Sequence, residues 1–536
     1  MSPIVFGIET EYGVLGPTRN PVELSNWVVA AYKAAQHGRV APWDYRSEDP
    51  LNDARGFHLD RAAAHPSLLT DRPGAVVRDL AHDAAGPSPV ERGGPGAALL
   101  ANGARLYVDH AHPEYASPET MSAREAALWD LAGQRVMATA ARSLAEAGKP
   151  VSLYKNNTDG QGASYGTHEN YLVARTLDWD LLVQVMTPFL VTRQIYTGSG
   201  RVGLGQRSQE PGFQLSQRAD FVEAEVGLET TLNRPIVNTR DEPHADPARW
   251  RRLHVIVGDA TMMDVATYVR LGLTGLVLLA AEAAPDRAAA LARSVRLASP
   301  VEAFKQVSRD LTVREKLETQ AGGAATAVAI QRRYLDFVSA VVVFPDPEAL
   351  DLLDRWGRLL DGLSEDPMSV GRQVEWVAKY QLLESLRLRG GLAWDHPKLR
   401  AADLKWTEVE PSRSLFARVA GRGAVETLFG ERELSWAVAH PPTSTRAYLK
   451  GEALSRYPEN VVAAGWDSLT LSWADGQTRF GLPSPLAGSR TQVQAVLAEA
   501  ASAEDLAERL AGVDLEHLGG GASARVSESG SHGRIE

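Results

Sequence analysis

Polar and apolar positions alternate along four short stretches of the chain. In Gly7–Gly13, read Gly-Ile-Glu-Thr-Glu-Tyr-Gly, Glu9 and Glu11 fall on one side and Ile8 on the other. In Arg105–Asp109, the side chains of Arg105, Tyr107 and Asp109 share one side and Leu106 and Val108 the opposite one. His168 and Asn170 make a third polar row. Arg252 and His254 make a fourth, backed by Leu253, Val255 and Val257. A period of two is that of a β-strand, whose successive side chains project to opposite faces. Each stretch therefore predicts a strand with one face packed on a core and the other lined with carboxylates, imidazoles and cations.

Helical periodicity places a helix at about Val22 to Gln36, ended by Gly38. A long helix capped by Ser122 runs to about Ala147 and stops at Gly148-Lys149-Pro150. Val151 to Tyr154 reads as a strand, and the Gly-rich stretch Asp159–Gly166 as the turn leading to the His168 row. From about Thr261 to Arg389 helical patterns dominate. The apolar run from Leu271 to Ala281, flanked by Arg270 and Glu282, is shorter than a bilayer span and predicts a buried helix. The domain organisation expected is a catalytic domain over 1–425, interrupted by an aperiodic insertion at about 53–96, and a small C-terminal domain over 426–515. A hairpin is expected within Ser468–Phe480, and a Gly/Ser-rich, disordered tail over 516–536.

Composition narrows the chemistry. With 536 residues, 44% hydrophobic and 23% charged, the chain can bury a large core. A net charge of −11 gives no basic field for nucleic acid. The absence of cysteine excludes disulfides, thiolate metal sites and thiol nucleophiles. It agrees with a cytoplasmic location, as does a Met-Ser-Pro start without a basic and then apolar leader; no membrane association is expected.

A sheet face carrying this many charges needs counter-charges, and divalent metals with a polyphosphate are the natural ones. Magnesium takes carboxylates and phosphate oxygens, with imidazole as a tolerated further ligand, and the planar fork of arginine suits phosphate. Two other phosphate motifs fail. Gly198–Gly203 spells GxGxxG but lacks a following helix and a βαβ setting, and Gly148-Lys149 lacks the upstream glycine of a phosphate loop. Asn238–His244 reads as a polar loop that holds Arg252 and His254 in register.

These motifs, with His112–Ala116, Ser164–Tyr171, Asn238–Asp246 and Arg251–Asp259, resemble the carboxylate-amine ligase-like enzymes of the bacterial Pup system. The resemblance runs to about residue 480. It implies an α+β, glutamine synthetase-like fold, a curved antiparallel sheet cradle packed by helices with a small C-terminal domain, binding ATP and magnesium. It further implies that Glu9, Tyr107, Glu114, His168 and His254 hold magnesium, with Glu11 as an additional ligand. Arg105, Ser117, Asn170, Arg252 and Trp466 would surround ATP, and Asp109 would be the catalytic carboxylate. Glu114, Ser117 and Trp466 rest on the resemblance alone.

The family contains Pup ligases and hydrolases that deamidate the C-terminal Gln of Pup and cleave Pup from lysines. The insertion at 53–96, Val108–His112 and the Gly212–Arg218 and Glu223–Thr231 segments resemble the hydrolytic branch, whereas Gly7–Glu11 fits either. The expected activity is therefore ATP/magnesium-dependent amide hydrolysis on Pup and pupylated proteins, in association with the proteasome system. Ligation and non-catalytic Pup binding are the alternatives. Arg218 and Arg240 are candidates for contacts with acidic Pup.

Overall fold

The computed structural model describes residues 4–65, 68–69, 96–342 and 346–515. Most of the expected insertion at 53–96 and all of the tail at 516–536 lie outside the described residues.

A nine-stranded sheet organises the main body. Its strands are β1 (Phe6–Glu11), β2 (Val40–Pro42), β3 (Ala98–Leu100), β4 (Arg105–Asp109), β5 (His112–Ala116), β6 (Thr167–Ala174), β7 (Ala224–Gly227), β8 (Pro235–Asn238) and β9 (Trp250–Val255). They lie in the order β7-β8-β9-β6-β1-β5-β4-β3-β2. Only β7 and β8 pair in parallel; every other neighbour is antiparallel. All four polar rows predicted from alternation lie on strands of this one sheet, and β9, β6 and β1 are direct neighbours.

The rear face is apolar, as the alternation requires. Ile8, Tyr171, Val173, Leu253 and Val255 pack in one core with helices Ala123–Glu146, Trp179–Thr192 and Asp264–Ala283. Ser122 caps the first of these helices by accepting the Glu125 N–H at 3.0 Å. The run Leu271–Ala281 lies within Asp264–Ala283, a helix long and apolar enough to cross a bilayer, of which 94% of the most apolar window is buried inside the fold. Gly198–Gly203 leads into a strand, Arg201–Leu204, rather than a helix. A two-stranded hairpin, Lys316–Glu318 with Ala324–Thr326, interrupts the helical region and had no clear sequence signal.

The rear face also carries charge, at Glu169 and at Arg251, which shares the Leu253 and Val255 side of β9 and lies over the Trp179 ring. Glu169 is fully buried and accepts from both terminal nitrogens of Arg193, at 2.6 and 2.9 Å, and from the Tyr171 hydroxyl at 2.6 Å. Arg270 approaches the same carboxylate at 3.5 Å. Burial opposes its charge, but the two guanidiniums hold its pKa below the usual carboxylate value.

Toward the C-terminus, helix Glu431–Ala439 packs Leu434 and Ala437 on Leu128, Trp129 and Ala132 of the long helix. A three-stranded sheet (Val461–Ala464, Ser468–Trp473, Gly476–Gly481) and helices Ala447–Arg456, Arg490–Glu499 and Ala503–Ala511 form a further core. That core takes in Ala41, Trp43, Ala97 and Leu99 at the edge of the main sheet, so this unit sits beside the polar face.

Candidate functional site

Strand register sets the site. Glu9 pairs with His168 on one side and Ala116 on the other; Glu11 pairs with Glu114, and Glu114 with Tyr107. Asn170 pairs with His254. The hairpin between β4 and β5 turns on His110 and Ala111, with His110 at φ 49°, and brings Asp109 opposite His112.

Two ligand clusters result. Potential ligand atoms of Glu9, His168 and His254 lie within 4.8 Å of one another, and so do those of Glu11, Asp109 and Glu114. His168 Nδ1 is 3.2 Å from Glu9 Oε2, and the His168 and His254 rings are 5.0 Å apart. The Tyr107 hydroxyl donates to Glu114 Oε1 at 2.6 Å, while the other Glu114 oxygen is buried without a hydrogen-bond partner among the described residues. Gly166 N–H donates to Glu11 at 2.9 Å. A Cβ at Gly166 would collide with His168 Nε2 and come within 2.8 Å of Glu11 Oε1, so only a bare backbone fits there.

The charge states favour a metal. Burial and then repulsion from Asp109, Glu11 and Glu9 push the Glu114 carboxyl well above its usual range. Burial also opposes ionisation of Glu9, but the His168 hydrogen bond and charge, with Arg252 and Arg240, bring its pKa below normal. For Asp109 burial raises the pKa, yet the charge and hydrogen bond of His110, 3.0 Å away, together with His168 and Arg240, lower it to about 2. Burial, Arg252, His168 and Arg240 hold His254 well below the usual imidazole range, hence neutral, as a ligand must be. An orphaned carboxylate oxygen, one triad of three carboxylates and a second of one carboxylate and two imidazoles suit divalent cations such as magnesium, with Glu9, Glu11, Glu114, His168 and His254 as the holders.

Beside the clusters a cleft of about 540 Å³ opens, lined by Glu9, Ser117, Asn170, His244, Arg252 and Trp466 among others. Trp466 comes from the C-terminal unit. Arg252 Nη2 is 3.2 Å from Glu242, and the Ser117 hydroxyl accepts the Ile8 N–H at 3.0 Å and donates to the Pro118 carbonyl at 3.2 Å. The hydroxyl of Ser117 therefore tethers β5 to β1 as it lines the cleft. Arg105 is not a lining residue. Its guanidinium lies over Trp43, Tyr45 and Tyr107, 4.6, 5.1 and 4.1 Å from the ring centroids, and reaches Glu48 at 3.1 Å.

The two candidate Pup-binding cations lie elsewhere than on an open groove. Arg218 is 2% exposed and donates to the Tyr165 carbonyl. Arg240 is 9% exposed, with Nε and Nη2 unpartnered among the described residues, and its charge acts on Glu9, Asp109, Glu242 and His254. Arg240 is thus a site residue. Sequence reasoning does not single out Glu48 and His110 as site residues, and it reads Glu242 and His244 only as part of the polar loop Asn238–His244, because all four come from turns and loops that carry no periodic signal. The loop Asn238–His244 does brace β9: Asp241 accepts the Arg252 N–H at 3.3 Å.

Comparison with known proteins identifies the family. The family model described as Pup-ligase protein matches residues 4–470. The chain is 45% identical over 518 residues to the Pup deamidase/depupylase of Mycobacterium tuberculosis (strain ATCC 25618 / H37Rv), covering 94% of this chain and 98% of that protein. It is 38% identical over 385 residues to the Pup–protein ligase of Actinosynnema mirum, covering 70% and 82%. Among solved structures, the complex of Pup with its ligase PafA matches with a TM-score of 0.73 at 28% identity, over 99% of both chains. PafA with ADP matches with a TM-score of 0.68 at 32% identity, over 83% of this chain and 96% of that one. The α+β architecture is therefore shared with the Pup ligase, and since the family match spans every strand of the polar face and reaches Trp466, this chain belongs to the Pup-ligase protein family.

Proposed function

We propose that the chain is a nucleotide- and magnesium-dependent amide hydrolase. It converts the C-terminal Gln of Pup to Glu and cleaves the isopeptide between Pup and a lysine of a tagged protein. The observation that carries this reading is the near full-length similarity to a relative named Pup deamidase/depupylase, against a shorter match at lower identity to a named ligase. Support comes from the Asp109 carboxylate, which lies beside Glu11 and Glu114 next to the turn of the β4–β5 hairpin.

Both reactions break the same bond. The carbon–nitrogen bond of a side-chain amide opens, a water supplies the new carboxyl oxygen, and the nitrogen leaves as ammonia or as the lysine amine. Asp109 serves this chemistry either as base for the attacking water or as the attacking oxygen itself. Its carboxylate is ready for either role because His110 and the nearby cations keep it ionised. A divalent metal held by the two clusters would supply Lewis-acid polarisation and orient nucleotide phosphates. Arg252 and Arg240 add fixed positive charge, and Asn170 donates to Glu9 at 3.2 Å, keeping that carboxylate turned toward His168. Substrates are Pup and pupylated proteins, and the expected setting is the cytoplasm alongside the proteasome system.

The test is to incubate the full chain, magnesium and ATP with Pup ending in Gln, with Pup ending in Glu plus a lysine-bearing acceptor, and with a Pup conjugate. Conversion of Gln to Glu and release of the tagged protein are expected. Conjugation of the Glu form without hydrolysis would overturn the reading in favour of ligation.

A further inference from the structure

The lining of the cleft divides by chemistry. Glu9, Glu119, Asn170 and Arg252 supply the charged and polar part of the lining, whereas Pro243, His244, Trp466 and Pro485 are an uncharged wall in which the His244 and Trp466 rings are neighbours. A nucleotide whose phosphates lay among the first group would have its base near the second.

His244 is the polar member of that wall and has an unusual backbone. Its φ is 47°, in the left-handed region that costs a non-glycine residue energy and that histidine enters more readily than most. Its ring lies 6.1 Å from the Trp466 ring at 38°. Among the described residues no group hydrogen-bonds either ring nitrogen. Burial, followed by the charges of Arg252, Arg446, Arg105 and Lys450, holds the imidazole well below its ordinary pKa. A neutral imidazole carries one N–H donor and one lone pair, which matches a nucleobase edge and would not attract phosphate as a cation does. Trp466 beside it is itself held: Lys450, fully buried, donates to the Trp466 and Gly465 carbonyls at 2.8 and 3.1 Å.

We propose that His244 recognises the base of the bound nucleotide, hydrogen-bonding its edge beside Trp466. This rests on the nucleotide reading of the cleft and adds to it a residue that selects nucleoside phosphates over phosphate alone.

The experiment is calorimetric titration of the full chain with ADP and, separately, with pyrophosphate, both with magnesium. His244→Gly removes the ring and relieves the positive φ, so a loss cannot come from backbone strain. His244→Asn tolerates that φ and keeps a donor and an acceptor. The expected result is that His244→Gly weakens ADP about tenfold, the size of one lost buried polar contact, with pyrophosphate unchanged and His244→Asn in between. Unchanged ADP affinity, or parallel loss of ADP and pyrophosphate, overturns the proposal. If the unaltered chain binds pyrophosphate but not ADP, the nucleotide reading itself falls and the proposal with it.

Discussion

His254 Nδ1 lies 2.8 Å from Asn170 Oδ1, and because an amide oxygen can only accept, the imidazole donates. The ring thereby keeps its lone pair on Nε2, free for a metal. The Asn170 amide nitrogen meanwhile donates to Glu9, so one side chain orients two ligands of the same cluster. Asn170→Ala is expected to lower affinity for magnesium or manganese about ten- to a hundredfold, measured by equilibrium titration, as loss of such an orienting partner generally does. Unaltered affinity would show that Asn170 does not orient the cluster.

Asp109→Asn is expected to leave ADP binding intact and to reduce Pup deamidation by about a thousandfold or more, since an amide can neither take a proton nor attack. Single-turnover cleavage in heavy-oxygen water separates the two roles of Asp109. Label in Asp109 marks direct attack, with the resulting anhydride opened at the Asp109 carbonyl; an unlabelled Asp109 together with no Pup–Asp109 adduct on the quenched enzyme marks attack by water.

Gly166→Ala places a methyl group against His168 Nε2 and Glu11. Amide cleavage is expected to fall by about a hundredfold through displaced ligands, with thermal unfolding little changed. A large drop in unfolding temperature would instead mean that Gly166 serves folding.

Lys450 provides a pH signature. Burial is the largest cause lowering its pKa from 10.5 to about 8. Between those values the unfolded chain binds more protons at this group than the folded one, so its contribution makes stability rise with pH from about 8 to 10.5. Lys450→Met is expected to flatten that rise in urea unfolding measured across the window. A slope unchanged by the substitution would refute the shift.

Much of the site was legible because it is built on strands. Alternation alone put Glu9 and Glu11, Tyr107 and Asp109, His168 and Asn170, and Arg252 and His254 on common faces, and the observed pairing joins those faces. Strand order was not legible, because nothing local to residue 252 says that its neighbour is residue 172. Glu48 reaches Arg105 across 57 positions from an aperiodic loop, and the charge of Arg240 acts on the carboxylates from a turn. Glu169 defeats a polarity rule: the alternation turns it to the core, and only Arg193 and Arg270, carried on distant helices, make that burial tolerable.

That buried Glu169 has an evolutionary corollary. Because ligands and core residues interleave one for one along Thr167–Ala174, a single-codon insertion or deletion there would swap their sides, burying His168 and Asn170 and thrusting Glu169 among the carboxylates. Length changes in this lineage should therefore be confined to connecting segments, while the central strands drift only by substitution.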